Sequence, residues 1–249
     1  MRLPALLFLA AAVLAAGCAT PRTGAPPLTG APPLTPSADV TPNFLVPSAR
    51  ERMVFLARQE WALFGRAVAV RAPDGTVQLA FEGEATHEAQ PAMLSRVLMY
   101  WYAVTRSPIV GRQGELEPWS AAFVSWLARS AGLPPEEFPA TVLHWDYIER
   151  FLGARDGERF VARDPRVYAP RTGDLVCVSR SGAVADFASL RRGPYHCDLV
   201  VAAGAGAIEV VGGNVGDAVA LARFAADERG LLLPRDDRSW VAVIEQRDR

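Results

Sequence analysis

No lysine occurs in this 249-residue chain, so all 26 basic residues are arginine. That absence excludes a Schiff-base lysine, a Ser–Lys dyad and the lysine of a phosphate-binding P-loop. Histidine is scarce as well. His87, His144 and His196 are the three present, no two have the spacing of a zinc pair, and no metal or organic cofactor is expected. Charge of one sign is also missing: 26 basic residues against 27 acidic leave a net −1 and no basic field for nucleic acid. The one leading apolar run, Leu6 to Leu14, is too short for a permanent membrane-spanning helix.

What is present begins with a processing signal. Arg2 precedes the apolar run, and Ala15-Ala16-Gly17-Cys18 fits a lipobox, the small-residue cleavage site that ends in a cysteine to be lipidated. Residues 1–17 are therefore expected to be a lipoprotein signal peptide, and Cys18 the lipidated anchor to a membrane. Ala19, rather than Asp, follows the cysteine, which predicts the periplasmic face of the outer membrane in a two-membrane bacterium.

Residues 18–47 are rich in Pro, Thr and Gly, and Thr23-Gly24-Ala25-Pro26-Pro27-Leu28 repeats at once as Thr29-Gly30-Ala31-Pro32-Pro33-Leu34. Such a segment cannot bury enough apolar surface to fold and reads as a tether. In extended polyproline II it reaches on the order of 80 Å, enough to work on the cell wall from a membrane anchor.

Residues 48–249 carry the folded domain, and its elements predict an α+β class. Ser48 and Glu51 form a capping-box pattern, followed by apolar residues at helical spacing and a stop at Gly65. Pro73-Asp74-Gly75 between two short apolar runs signals a hairpin. Three further helices are expected over 91–104, 118–131 and 141–152, with Pro118 at the first helical position of the third. Strands follow at 174–179, 196–202, 207–211, 219–224 and 240–245, so N-terminal helices should pack on a C-terminal antiparallel sheet, with Gly204-Ala205-Gly206 as a hairpin turn.

Three pieces suggest chemistry. Ser120 lies in Pro118-Trp119-Ser120-Ala121-Ala122-Phe123, His196 in Tyr195-His196-Cys197-Asp198-Leu199, and Asn214 follows Gly212-Gly213. A helix N-terminus presents free N–H groups and partial positive charge, which favours a nucleophile or an oxyanion there. Acyl transfer needs that nucleophile, a base in reach, and a group that orients the base. Ser120, His196 and Asn214 are candidates for the three roles. Asp198, on the same strand face as His196 by period two, is the alternative orienting residue. Trp119 and His144 are expected at the groove, His144 alternatively as a packing residue on its helix. Asp174 is expected to fix the turn into its strand. Cys177 and Cys197 should lie on neighbouring strands, as a cross-strand disulfide or as two buried thiols.

These motifs resemble the CHAP domains and their NlpC-type relatives, in which the helix position of Ser120 carries cysteine. More closely, Pro118–Phe123 with Gly173-Asp174-Leu175-Val176-Cys177 and His196–Val201 resembles the bacterial domain of unknown function 2272. The resemblance implies a papain-like fold and a cell-envelope hydrolase that cleaves an amide or peptide bond, with peptidoglycan or its stem peptide as the partner. It implies Ser120 as nucleophile, His196 as base and Asn214 as orienting group. Serine in place of cysteine matters: a thiol with a pKa of about 8.5 ionises readily beside an imidazole, whereas a hydroxyl loses its proton only during attack. The alternative is a catalytically inactive module that binds peptidoglycan or an envelope protein, or a structural lipoprotein with a vestigial site.

Overall fold

The structure is a computed structural model that describes residues 46–72, 76–181, 186–234 and 238–247. The expected signal peptide, Cys18 and the tether as far as residue 45 lie outside the described residues, as does the turn Pro73-Asp74-Gly75. Helix α1 (Ala49–Leu63) starts at the expected capping box, in which Ser48 Oγ accepts from the Glu51 N–H and Glu51 Oε2 accepts from the Ser48 N–H at 2.7 Å. Strands β1 (Ala67–Arg71) and β2 (Val77–Phe81) then pair antiparallel, as the hairpin signal predicts.

Helices α2 (Pro91–Tyr102), α3 (Ser120–Ser130) and α4 (His144–Leu152) follow. Two starts differ from expectation. Pro118 stays outside α3, whose N-cap is Trp119. Thr141 stays outside α4, whose N-cap is Leu143, and its hydroxyl serves the turn before the helix: Oγ1 accepts from the Leu143 N–H at 3.0 Å and donates to Asp146. The remaining strands are β3 (Phe160–Arg163), β4 (Leu175–Ser179), β5 (Tyr195–Gly204), β6 (Ala207–Gly212), β7 (Ala220–Ala225) and β8 (Trp240–Gln246).

The described residues are α+β, with four α-helices and one eight-stranded sheet of order β2-β1-β7-β6-β5-β4-β8-β3. The sheet is mixed, which corrects the antiparallel expectation: β1 runs parallel to β7, with Val68 opposite Leu221. The N-terminal hairpin docks on the edge left by β7 and extends the sheet by two strands. No local pattern announces such a pairing between segments so far apart in sequence.

Neighbouring residues on the central strands belong to different cores, as a period of two demands. Leu175, Cys177, Cys197, Leu199, Val211 and Ile244 join the larger core with the helices. Val176, Val200, Ile208, Val210 and Val243 form a smaller cluster flanked by Tyr168, Phe224 and Trp240. Cys177 and Cys197 face each other across β4 and β5 and form a disulfide. Among the described residues no helix is long and apolar enough to cross a membrane.

Asp174 holds the seam between this sheet and α1. It is fully buried, accepts from the N–H groups of Gln246 at 2.9 Å and Arg171 at 2.8 Å and from the Tyr168 hydroxyl at 3.1 Å, and lies 3.8 Å from the Arg50 guanidinium. Burial pushes its carboxyl up to about 6, against the pull of those donors. This is the structural role expected of it.

Candidate functional site

Helix α3 is the axis of the site. Ser120 through Ala128 are all buried, and Ala121 and Ala122 keep the first turn narrow enough to pack closely. Its aromatic flank is fixed by Tyr100, which contacts Trp119, Phe123 and Trp126 at ring-centre distances of 5.8, 5.1 and 4.9 Å. Trp119 is fully buried and donates its indole N–H to Glu88 at 2.5 Å. It is therefore a core residue that anchors the start of α3, not the groove wall expected from the sequence. An indole between Phe64, Tyr100 and Phe123 gains more from burial than from exposure.

Ser120 is the first residue of α3 and is 4% exposed. Its Oγ lies 2.7 Å from Nε2 of His144, the first residue of α4. The expected partner was His196, and no hydrogen bond joins Ser120 to His196 among the described residues. The reason is tertiary. Ser125, one turn along α3, donates to the carbonyls of Thr141 at 3.0 Å and Pro139 at 3.3 Å and accepts from the Thr141 N–H. That clamp holds the segment before α4 against α3 and brings the two helix starts together.

The other ring nitrogen of His144, Nδ1, is hydrogen-bonded to the Tyr147 hydroxyl. Tyr147 lies three residues along α4, the spacing that stacks two side chains on one helix face. With its proton on Nδ1, His144 donates to Tyr147 and accepts from the Ser120 O–H. Burial holds His144 well below its ordinary 6.5, and the charges of His196 and Arg180 add to this. Its place at a helix N-terminus acts in the same direction. His144 is therefore neutral at pH 7 and able to accept a proton. Burial, then the Asp198 charge, holds the Tyr147 phenol well above its ordinary value, so it stays a neutral partner.

His196 lies beside this pair, with ring centres 5.2 Å apart. Its Nε2 is 2.7 Å from Asp198 Oδ1, and both residues are buried. The orienting contact expected of Asn214 thus belongs to Asp198, the alternative on the same strand. Asn214 sits in the turn after β6 at φ +57°, half-buried, and its side chain makes no hydrogen bond among the described residues. The Gly212-Gly213 pair before it has a packing cause. A β-carbon on Gly212 would meet Asp198 Oδ1 at 1.8 Å, and one on Gly213 would meet Phe123 and Trp119 at 2.7 to 2.8 Å. Two glycines let the turn lie directly against the Asp198 carboxylate and the first turn of α3. Cys197, between His196 and Asp198, points away from both and into the disulfide. Among the described residues no three His, Cys, Asp or Glu side chains converge to hold a metal ion.

Sequence reasoning missed Tyr147 and gave His144 the minor part. The available signal was the His144-x-x-Tyr147 spacing on a helix face, weak by itself because a packed aromatic has the same spacing.

The model of a family described as an uncharacterized protein conserved in bacteria (DUF2272) matches residues 88–245. The chain belongs to the DUF2272 family. The matched region holds all five residues of the cluster described above: Ser120, His144, Tyr147, His196 and Asp198. No curated protein and no solved structure matches the chain.

Proposed function

We propose that this DUF2272 protein is a cell-envelope hydrolase that cleaves an amide or peptide bond of peptidoglycan by acyl transfer to Ser120. The observation that carries the reading is the 2.7 Å hydrogen bond from Ser120 Oγ, at the start of α3, to Nε2 of a buried, neutral histidine at the start of α4. Ser120 attacks the acyl carbon as His144 Nε2 takes its proton, and Tyr147 holds the imidazole by Nδ1. Backbone N–H groups of the first turn of α3, which have no partner within the helix, stabilise the oxyanion.

The choice of peptidoglycan, and of a papain-like ancestry, rests on the resemblance of the Ser120, Gly173-Asp174 and His196 motifs to CHAP and NlpC-type domains. The location, anchored through Cys18 at the periplasmic face of the outer membrane, rests on the lipobox. In this reading His144 takes the base role that the family resemblance gives to His196.

A second reading has an observation of its own. Ser120 and His144 are 4% and 6% exposed, a degree of closure suited to a non-catalytic module that binds peptidoglycan or an envelope protein elsewhere on its surface. Digestion of purified peptidoglycan by the wild type, Ser120→Ala and Ser120→Cys separates the two. Activity of the wild type that is lost in Ser120→Ala supports the hydrolase. An inert wild type with an active Ser120→Cys supports the binding module.

A further inference from the structure

Attack by Ser120 with His144 as base leaves a second buried imidazole without a task. His196 is 7% exposed, lies ring against ring with His144, and holds Asp198 at 2.7 Å through Nε2. A carboxylate acceptor keeps a proton on Nε2, so Nδ1 is the nitrogen left to exchange one. The placement of charge is unusual for a serine site. In a single-histidine mechanism the carboxylate orients the imidazole that takes the serine proton and stabilises it once charged. Here a neutral phenol occupies that position on His144, and the carboxylate of the cluster sits on the other ring. Two imidazoles in contact oppose each other's charge, so protonating one favours the neutral form of its neighbour.

We propose, on the basis of the Ser120 reading, that the site divides proton handling between two histidines: His144 takes the serine proton, and the His196–Asp198 pair delivers a proton to the leaving nitrogen of an amide. In the first half-reaction the Ser120 Oγ–acyl bond forms and the Oγ proton moves to His144 Nε2. In this cycle His196 starts doubly protonated, Nε2–H on Asp198 and a second proton on Nδ1, and the C–N bond breaks as Nδ1 gives that second proton to the departing amine in step with the arrival of the Ser120 proton on His144, so one ring is charged at a time. In the second half, water attacks the acyl-serine and its proton returns to His196 Nδ1. His144 returns its own proton to Ser120 Oγ as the acid leaves. Protons balance, and both rings end as they began.

The division matters for substrate class. A phenolate leaves an ester without being protonated, whereas an amide nitrogen must be protonated to leave. A dedicated donor in addition to the base is therefore an adaptation to amides. Asp198, with Gly212 packed against it, fixes which nitrogen of His196 is available.

The test uses the full chain and two substrates with the same acyl group, a p-nitrophenyl ester and a p-nitroanilide. Both are assayed with wild type, His196→Gln and Asp198→Asn. The acylation step, read as first-turnover release of the chromophore, should fall on the order of 10²-fold or more for the anilide in each variant and by less than about tenfold for the ester, the span expected for loss of a general acid. The deacylation that follows uses His196 for both substrates and is excluded by reading the first turnover alone. Equal losses on both substrates, as a purely structural pair would give, overturn the proposal, and so does no loss on either. Thermal melting and labelling of Ser120 by a fluorophosphonate show that each variant is folded. If His196→Gln does not fold, Asp198→Asn gives the same ratio. Failure of the wild type itself to label would refute the Ser120 reading, a result distinct from a labelled enzyme with no amide selectivity to lose.

Discussion

Two buried polar clusters in this molecule are built on opposite principles. Asp174 is a single carboxylate surrounded by two backbone N–H donors, a tyrosine hydroxyl and an arginine. Every contact runs towards the charge, and together they join the segment before β4 (Tyr168, Arg171) to β8 (Gln246) and α1 (Arg50). The corner around Ser120 instead links a hydroxyl, two imidazoles, a phenol and one carboxylate, mostly in pairs in which either partner can hold the proton. The first cluster holds elements together. The second has its protons where they can move. The difference shows how a buried network that stabilises a fold can be told from one suited to chemistry: by the direction and mobility of its protons, since burial is the same in both.

The two should respond to acid with opposite sign. Asp174 is raised from 3.8 to about 6, so the folded protein binds that proton more tightly than the unfolded chain. Its contribution is fully present below about 4 and is lost as pH rises through 6. His144 is lowered from 6.5, so its contribution is present above 6.5 and is lost as pH falls through its depressed folded value.

Variants break the comparison in order of size. His144→Ala should lower hydrolysis by roughly 10³-fold or more, because it removes the base, and should leave the pH 4 to 6 component of stability set by Asp174 in place. Retention of most activity, measured on peptidoglycan or the ester, would remove His144 from the mechanism. Asp174→Ala should do the reverse. It strands the N–H groups of Gln246 and Arg171 and the Tyr168 hydroxyl, costs about 3 kcal/mol in denaturant unfolding, and removes the pH 4 to 6 component of stability. Cys197→Ser opens a crosslink between residues 20 apart and should cost about 3 kcal/mol, with activity per folded molecule falling only as far as β5 loosens. Tyr147→Phe keeps the ring and removes the hydroxyl. It should lower turnover by roughly tenfold through a misoriented His144 and leave substrate binding unchanged, so a rise in KM in place of the kcat loss would argue against orientation.

Much of the scaffold was legible in the sequence because it is locally encoded. The Ser48–Glu51 capping box, the alternation along β4 to β8 and the hairpin glycines each carry their own signal. Strand β3 was not legible: Phe160-Val161-Ala162-Arg163 is four residues long, too short for alternation to stand out. The parallel contact of β1 with β7 was not legible either, since it depends on which sheet edge remains open. At the site, Ser120, His196 and Asp198 were found from motif and period. The pairing of Ser120 with His144 was not, because it arises where two helix starts meet through Ser125 and the Thr141 carbonyl. Asn214 was overvalued because a residue after two glycines suggests a site turn, whereas those glycines serve the packing of Asp198, Phe123 and Trp119.

The most direct measurement is the rate of Ser120 modification by a fluorophosphonate across pH, followed by intact mass in wild type and His144→Ala. A serine activated by a neutral, buried histidine predicts a single adduct on Ser120, an acid limb displaced below pH 6.5, and loss of labelling in His144→Ala. No adduct, or a rate unaffected by His144→Ala, would contradict it.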